Sequence, residues 1–356
     1  MPVYKNEVKG TWYTKFNYKD WQGNTKQKKK EGFKKQREAK EFERNFLNKV
    51  KADTDILFSN LIEYYYEDFK TRLRPTTIEN KQQLIDTKIL PHFGNMPLNT
   101  ITVKTVRNWQ NKMISDEHNY SPTYLKSIHN QLSAIFNYAM KYYNLSENPA
   151  AKCGSMGRKH SDRMQFWTVD EFEQFITVVK DKPTSEVIFN LLFWTGMRSG
   201  EALALTLKDF DLKSDVKTVS INKSYVRLNG EDIISEPKTA KSKRIVTITE
   251  NLAELIESYV NQLYDYEPQQ RLFTVTKYYL GHEMKRGCKH SSVKKIRIHD
   301  LRHSHASLLI ELGFSPLLIA ERLGHEKINT TLQIYSHLYP NKQHEVTTLL
   351  ETLSKK

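Results

Sequence analysis

The period of the hydrophobic pattern changes twice along the chain, and nothing else in the sequence constrains the fold as much. In Thr11–Tyr18 (TWYTKFNY) bulky and polar residues alternate, the two-residue period of a half-buried strand. From Asp53 to Pro149 apolar residues recur at helical spacing, and beyond Gln165 helical stretches interleave with strand-like runs at Val216–Val226 and Arg244–Ile248. A single core does not serve three patterns, and 356 residues exceed the ~100–200 of an ordinary domain. The expected architecture is multidomain: a small β-sheet plus helix over residues 1–52, an all-α bundle over 53–150, and a mixed α+β, mainly helical domain over 166–356. Residues 151–165 (AKCGSMGRKHSDRMQ), basic, Gly/Ser-containing and aperiodic, read as a linker.

Local signals fill in the elements. Asp20–Asn24 supplies turn chemistry between Thr11–Tyr18 and Thr25–Lys30, which predicts a hairpin, and Ala39, Phe42, Phe46 and Leu47 mark a helix within Lys35–Val50. In the bundle, Phe58–Phe69 carries one apolar face, and Thr76 or Thr77 is placed to cap a helix running to about Ile89. Pro91 and Pro97 punctuate a loop, Thr102–Ile114 is helical, and Ser121-Pro122 opens a helix whose stripe is Leu125, Ile128, Leu132, Ile135 and Ala139. The Tyr and Trp residues here read as core. Thr168-Val-Asp-Glu171 is a capping box opening the last domain.

Charge points to a partner. The net charge is +14, and residues 1–52 hold 15 Lys and Arg against 6 Asp and Glu, so +9 sits on the first domain and +5 on all the rest. Lys and Arg displace counterions condensed on nucleic acid, which makes a polyanion the expected partner. A hairpin exposing Lys15, Lys19, Lys26, Lys28, Lys29 and Lys30 suits a major groove, as two-stranded ribbons do. Two cysteines exclude a disulfide scaffold. Met1–Gly10 lacks the apolar run of a secretory signal and no stretch approaches ~18 uninterrupted apolar residues, so a cytoplasmic, reduced protein without a membrane span is expected.

Three motifs of the last domain carry chemistry. Thr195-Gly-Met-Arg198-Ser-Gly-Glu201 places an Arg between the apolar run Val187–Trp194 and an expected apolar helix Ala202–Leu207, with Glu201 placed to hold its guanidinium. Alone, that pair reads equally as a structural ion pair. His299-Asp-Leu-Arg302-His303 resembles a zinc pattern in its His spacing, but an Arg beside a metal is unfavourable, whereas an Arg beside phosphate is not. His303 and His305 read equally as core or helix-surface residues. Leu323-Gly-His325 is followed by Thr330-Thr-Leu-Gln-Ile-Tyr335-Ser-His337. Two Arg, two His and one Tyr fall in three short motifs, in a chain with 15 Arg among 55 basic residues.

Taken together, TGMRSGE, HDLRHSHAS, LGH and IYSH resemble the tyrosine recombinase (phage integrase) family, in that family's order and across the whole chain. The first 52 residues resemble the arm-site DNA-binding domain of integrases from Gram-positive phages and conjugative transposons, and residues 53–150 the core-binding domain. The resemblance implies a further catalytic Lys in Glu236-Pro-Lys238-Thr-Ala-Lys-Ser-Lys-Arg244, assigned to Lys238 with Lys241 and Lys243 as rivals. It implies Tyr335 as nucleophile, His299 as base, Arg198, Arg302 and His325 on the phosphate, and Lys238 as proton donor. Direct phosphoryl transfer to a tyrosine conserves the bond energy, so no metal, ATP or other cofactor is expected. The implied partners are double-stranded DNA at core and arm attachment sites, a homo-tetramer on that DNA working through a Holliday junction, and accessory directionality or DNA-bending proteins. The apolar stripe Val346, Leu349, Leu350 and Leu353 is expected to dock on a neighbouring protomer. The alternatives are a type IB topoisomerase-like enzyme, disfavoured by the basic N-terminal module, and a catalytically inactive DNA-binding protein.

Overall fold

The computed structural model describes residues 3–7, 10–19, 25–50, 56–158, 165–237, 240–326, 328 and 332, in two units, 1–162 and 163–356. Among the described residues no helix is long and apolar enough to cross a membrane.

In the first unit, β1 (Val3–Asn6), β2 (Thr11–Lys19) and β3 (Thr25–Phe33) form an antiparallel sheet in that order. Helix α1 (Gln36–Val50) covers one face. The alternation in β2 sends Thr14 and Phe16 under α1, where Thr14 Oγ1 donates to Glu43 Oε2 at 2.9 Å, with both residues buried. Phe42 of α1 meets Phe33, while the side chains of Phe46 and Leu47 lie outside the described residues. The expected hairpin is present as β2 and β3, although its turn, Asp20–Asn24, also lies outside the described residues. Strand β1 was not anticipated, because four residues are too few to display a period.

The bundle comprises α2 (Phe58–Lys70), α3 (Pro75–Leu84), α4 (Leu90–Phe93), α5 (Val103–Ile114), α6 (Pro122–Tyr142) and α7 (Pro149–Cys153). Ser121 caps α6 as expected, its hydroxyl accepting from Tyr124 N, and Thr102, read as the first residue of α5, is its cap, accepting from Thr105 N. Two expectations fail here. Helix α3 starts at Pro75, whose fixed φ suits the first helical position, so neither Thr76 nor Thr77 is its cap. Pro91 lies inside a helical segment rather than a loop. A π-helical turn over Ile85–Ile89 precedes it, and this wider winding relieves the clash that proline makes with the preceding turn. The rings of Phe58, Phe93, Trp109 and Phe136 form the core, with centroids 5.3–5.7 Å apart. Trp109 and Tyr65 are thus core as expected, but Tyr64 and Tyr142 are exposed. Cys153 and Met156, in the stretch read as linker, are buried in this core, so bundle packing continues past residue 150.

In the second unit, α8 (Val169–Val179) opens with the expected capping box. Helix α9 (Pro183–Thr195) is central, its Val187, Ile188, Phe189, Leu191, Leu192 and Phe193 all buried. It is followed by α10 (Ser199–Ala202), β4 (Phe210–Asp211), β5 (Thr218–Ile221), β6 (Ser224–Leu228), β7 (Glu231–Ser235) and β8 (Arg244–Thr247). Helices α11 (Glu250–Asn261), α12 (Lys277–Ser291), α13 (Asp300–Glu311) and α14 (Pro316–Leu323) complete it. The expected strand Val216–Val226 is two strands in different sheets: β5 pairs with β4 and β8, whereas β6 pairs with β7 across Asn229-Gly230, both at positive φ as a tight hairpin requires. The expected helix Ala202–Leu207 stops at Ala202. Leu203–Leu205 are buried, but the carbonyls of Leu203 and Leu205 are taken by Arg271 and by Leu272 N–H, which diverts the helical ladder.

Candidate active site

Helix α9 ends where Gly196 takes a left-handed conformation (φ 65°). A Cβ there would stand 2.6 Å from His305 Cδ2 and 2.7 Å from Leu323 Cδ2, so only glycine permits this approach. The reversal places Arg198 at the start of α10. Arg198 donates from its backbone N–H and from its guanidinium to Glu201, each at 2.8 Å, which is the pairing expected from the sequence. Glu201 is shared: Arg244 donates to its Oε2 at 2.9 Å. Burial would raise the Glu201 carboxyl, but the guanidiniums of Arg244 and Arg198 outweigh it and hold the group below the usual range. The Arg198 side chain is 40% exposed and that of Arg244 only 6%, so Arg198 faces outward from a clamp whose inner jaw is Arg244.

Arg302, in the first turn of α13, is buried. Its guanidinium donates to Gly196 O at 2.9 Å and to Leu323 O at 2.6 Å. One side chain thereby ties the segment two residues before Arg198 to the segment two residues before His325, and three motifs scattered over 128 positions meet. Arg244 adds a second tie, donating from Nε to Arg322 O at 2.9 Å. Both carbonyls belong to the end of α14, where orphan acceptors and the negative end of the helix dipole favour a cation. Gly324 caps α14 in a left-handed conformation and delivers His325, whose N–H donates to Ala320 O at 2.9 Å.

The imidazoles here are held neutral. Desolvation, with Arg302 and Arg198 beside it, lowers His299. Burial, with Arg302, Arg198 and Arg244, takes His325 down to about 3, which also places its ring within the field of all three guanidiniums. His303 stands edge-on to His299, centroids 5.1 Å apart, and burial lowers it to about 4. Among the described residues no group of three or more His, Cys, Asp or Glu is arranged to hold a metal ion.

Lys238 and Tyr335 lie outside the described residues, so the structure brings together Arg198, His299, Arg302 and His325 of the six predicted site residues. Of the rivals to Lys238, Lys243 pairs with Glu236 at 3.2 Å, and Lys241 donates to Glu326 O at 3.4 Å, one residue past His325. The lysines predicted to bind DNA in the first domain do not share one face. The register pairs Lys15 with Lys29 on the uncovered side, but sets Lys26, Lys28 and Lys30 opposite Tyr18, Phe16 and Thr14, on the side of α1, while the Lys19 side chain lies outside the described residues. Lys30 accordingly sits over the Phe42 ring and Lys29 over Tyr13. The correction arises because a two-residue period sends adjacent lysines to opposite faces.

Sequence reading passed over Arg244, Arg322 and Arg271. Arg322 donates from Nε to the buried His305 Nε2 at 3.0 Å and also binds Trp194 O at 3.2 Å. The available signal was the residue type: each is an Arg in a chain that otherwise prefers Lys, at a place where a rigid fork meets two or more fixed acceptors.

Comparison with known proteins accords with this geometry. The phage integrase family matches residues 165–342, the phage integrase N-terminal SAM-like domain residues 57–114, and the arm DNA-binding domain residues 2–50. The ICEBs1 integrase of Bacillus subtilis is 30% identical over 328 residues, covering 86% of this chain and 85% of the relative. The integrase of Staphylococcus phage L54a is 25% identical, covering 83% and 92%. Among solved structures, the Tn1549 transposon integrase in complex with transposon right end DNA superposes with a TM-score of 0.66 at 18% identity, over 83% of this chain and 99% of that one. A lambda integrase dimer bound to a COC' core site gives 0.61 at 19%, over 93% of each chain. Half of the chain matched by one family, a relative at 30% identity over most of both lengths, and a shared fold establish that this chain belongs to the phage integrase family, the tyrosine recombinases.

Proposed function

We propose that the chain cuts and rejoins duplex DNA with Tyr335 as nucleophile, and that Arg198, Arg302 and His325 hold the scissile phosphate. The Tyr335 oxygen attacks phosphorus, the bond to the 5′ oxygen breaks, and a 3′-phosphotyrosine link conserves the energy for the reverse step. A phenol with pKa about 10 needs its proton taken as attack proceeds. His299, kept neutral by its surroundings, is suited to accept it. Lys238 returns a proton to the leaving oxygen. No cofactor enters the scheme. The observation that supports this reading is the Arg302 clamp: its bonds to Gly196 O and Leu323 O tie the segments that carry Arg198 and His325 to one guanidinium, as residues sharing one phosphate would require.

In this reading residues 1–52 hold arm sites through Lys15, Lys19, Lys26, Lys28, Lys29 and Lys30, with Lys15 and Lys29 ahead of Lys26, Lys28 and Lys30. Residues 53–150, with their packing carried on to Met156, grip the core site, and 166–356 perform the chemistry. Four copies act on paired sites, with accessory directionality or bending proteins, and with the tail around Leu349 exchanged between protomers. The test uses nicked suicide duplexes tiled across the DNA flanking the gene, with covalent adducts resolved on denaturing gels. Wild type traps on one tile and Tyr335→Phe on none. An adduct that persists in Tyr335→Phe removes the nucleophile assignment.

A further inference from the structure

The β6–β7 hairpin forms a two-stranded sheet of its own, hydrogen-bonded to no other strand among the described residues. Strand β7 ends at Ser235, three residues before Lys238 in the sequence. A side chain from outside the hairpin fastens it. Arg271 sits over the Tyr225 ring, its guanidinium carbon 4.0 Å from the centroid, and donates to Asp232 Oδ2 at 2.8 Å. Tyr225, on β6, closes the triangle by donating its hydroxyl to Asp232 Oδ1, on β7, at 2.8 Å. The other arm of Arg271 donates to Phe273 O at 2.9 Å and to Leu203 O at 3.2 Å. Leu203 directly follows α10, the helix that Arg198 opens. The same junction is tight elsewhere: a Cβ on Gly200 would fall 2.7 Å from Ser224 Oγ and 3.0 Å from Tyr225 O. The Tyr225 ring is buried and the Arg271 side chain is 14% exposed, so the fork is largely shielded from solvent.

We infer that Arg271, with Tyr225 and Asp232, is a positioning latch that fixes the β6–β7 hairpin to the Arg198 segment and so sets the proton donor that follows β7 against the leaving oxygen. The inference rests on the proposed phosphoryl transfer, in which the phosphorus–O5′ bond breaks, its electron pair goes to O5′, and the Lys238 ammonium supplies the proton. A guanidinium is suited to this latch, because it satisfies two carbonyls, a carboxylate and an aromatic face at once, which an ammonium does not.

The test is single-turnover cleavage of the duplex that traps wild type, made once with the ordinary scissile phosphate and once with sulfur replacing the bridging 5′ oxygen. The thiolate leaves without a proton. Arg271→Ala is expected to cleave the oxygen substrate at least about tenfold slower, within the range of a misplaced general acid, and the sulfur substrate at close to the wild-type rate. Tyr225→Phe, which keeps the ring and loses the hydroxyl bond, should show the same selectivity more weakly, and Arg271→Lys should not restore the oxygen rate. Duplex binding by gel shift should be unchanged in all three. Equal loss on both substrates, or no loss on oxygen, overturns the latch. Lys238→Ala is the parallel arm: rescue by sulfur there without rescue of Arg271→Ala overturns the latch and keeps Lys238. Rescue of Arg271→Ala without rescue of Lys238→Ala keeps the latch and moves the proton donor to another residue of the segment.

Discussion

Replacing Glu201 by Gln removes one buried negative charge and leaves two guanidiniums sharing a neutral amide. Glu201 is 3% exposed and its partner Arg244 6%, so this pair has little solvent to fall back on. Breaking a buried pair from one side costs about 3–5 kcal/mol. The Arg198 contact adds little, because that side chain is 40% exposed and water screens it. Gln keeps an acceptor for one donor, which puts the expected loss at the lower end, about 3 kcal/mol. In a domain of this size each kcal/mol shifts the midpoint by roughly 2–4 °C, so the catalytic-domain transition should fall by about 6–12 °C. The pH dependence has a definite sign. The two guanidiniums hold the folded pKa of Glu201 below its ordinary 4.5 despite burial. The stabilisation is therefore complete above that value and lost as pH falls through the folded pKa. Thermal melts followed by circular dichroism should show a constant gap between wild type and Glu201→Gln from about pH 8 to 5, narrowing only below about 4.5. A shift under about 2 °C at neutral pH, or a gap undiminished in acid, would refute the reasoning.

Other outcomes follow from the same geometry. Gly196→Ala places a methyl against His305 and Leu323 at a positive φ, and should cost about 3 kcal/mol or more in chemical denaturation; a loss below about 1 kcal/mol means the junction yields. In the first domain, Lys29→Ala should weaken binding to the DNA that the arm domain protects and lower its salt slope by about one, with Lys30→Ala, on the helix side, doing less. The reverse order would put the DNA on the α1 face. Because burial and the neighbouring Arg302 and Arg198 lower His299, its neutral form persists to more acid pH than in a free imidazole. Single-turnover cleavage should stay flat from about pH 8 to 6.5 and decline only below, and a decline beginning above 6.5 counts against His299 as the base.

Much of this was legible in the chain. The capping box at Thr168, the Ser121-Pro122 start and the stripes of α2 and α6 were readable because their signals are local: a hydroxyl three residues from its N–H, an apolar residue every turn. What failed was context-dependent. Leu203–Leu205 have helical composition, yet Arg271 and Leu272, nearly 70 residues on, take their carbonyls. Val216–Val226 reads as one strand, and only the competing partners β7 and β8 divide it.

The sequence by itself determined the domain order, the basic first module and the motif residues Arg198, His299, Arg302 and His325, because residue type and spacing are properties of the chain. It left Arg198–Glu201 open between a structural and a catalytic pair. The tertiary structure decided what joins them: Arg244 as the second partner of Glu201, Arg302 bridging Gly196 and Leu323, Arg271 fastening the hairpin, and the division of the lysines between two faces of a sheet. A guanidinium reads the same in any sequence. Which carbonyls it meets depends on where distant helix ends and strand edges come to rest.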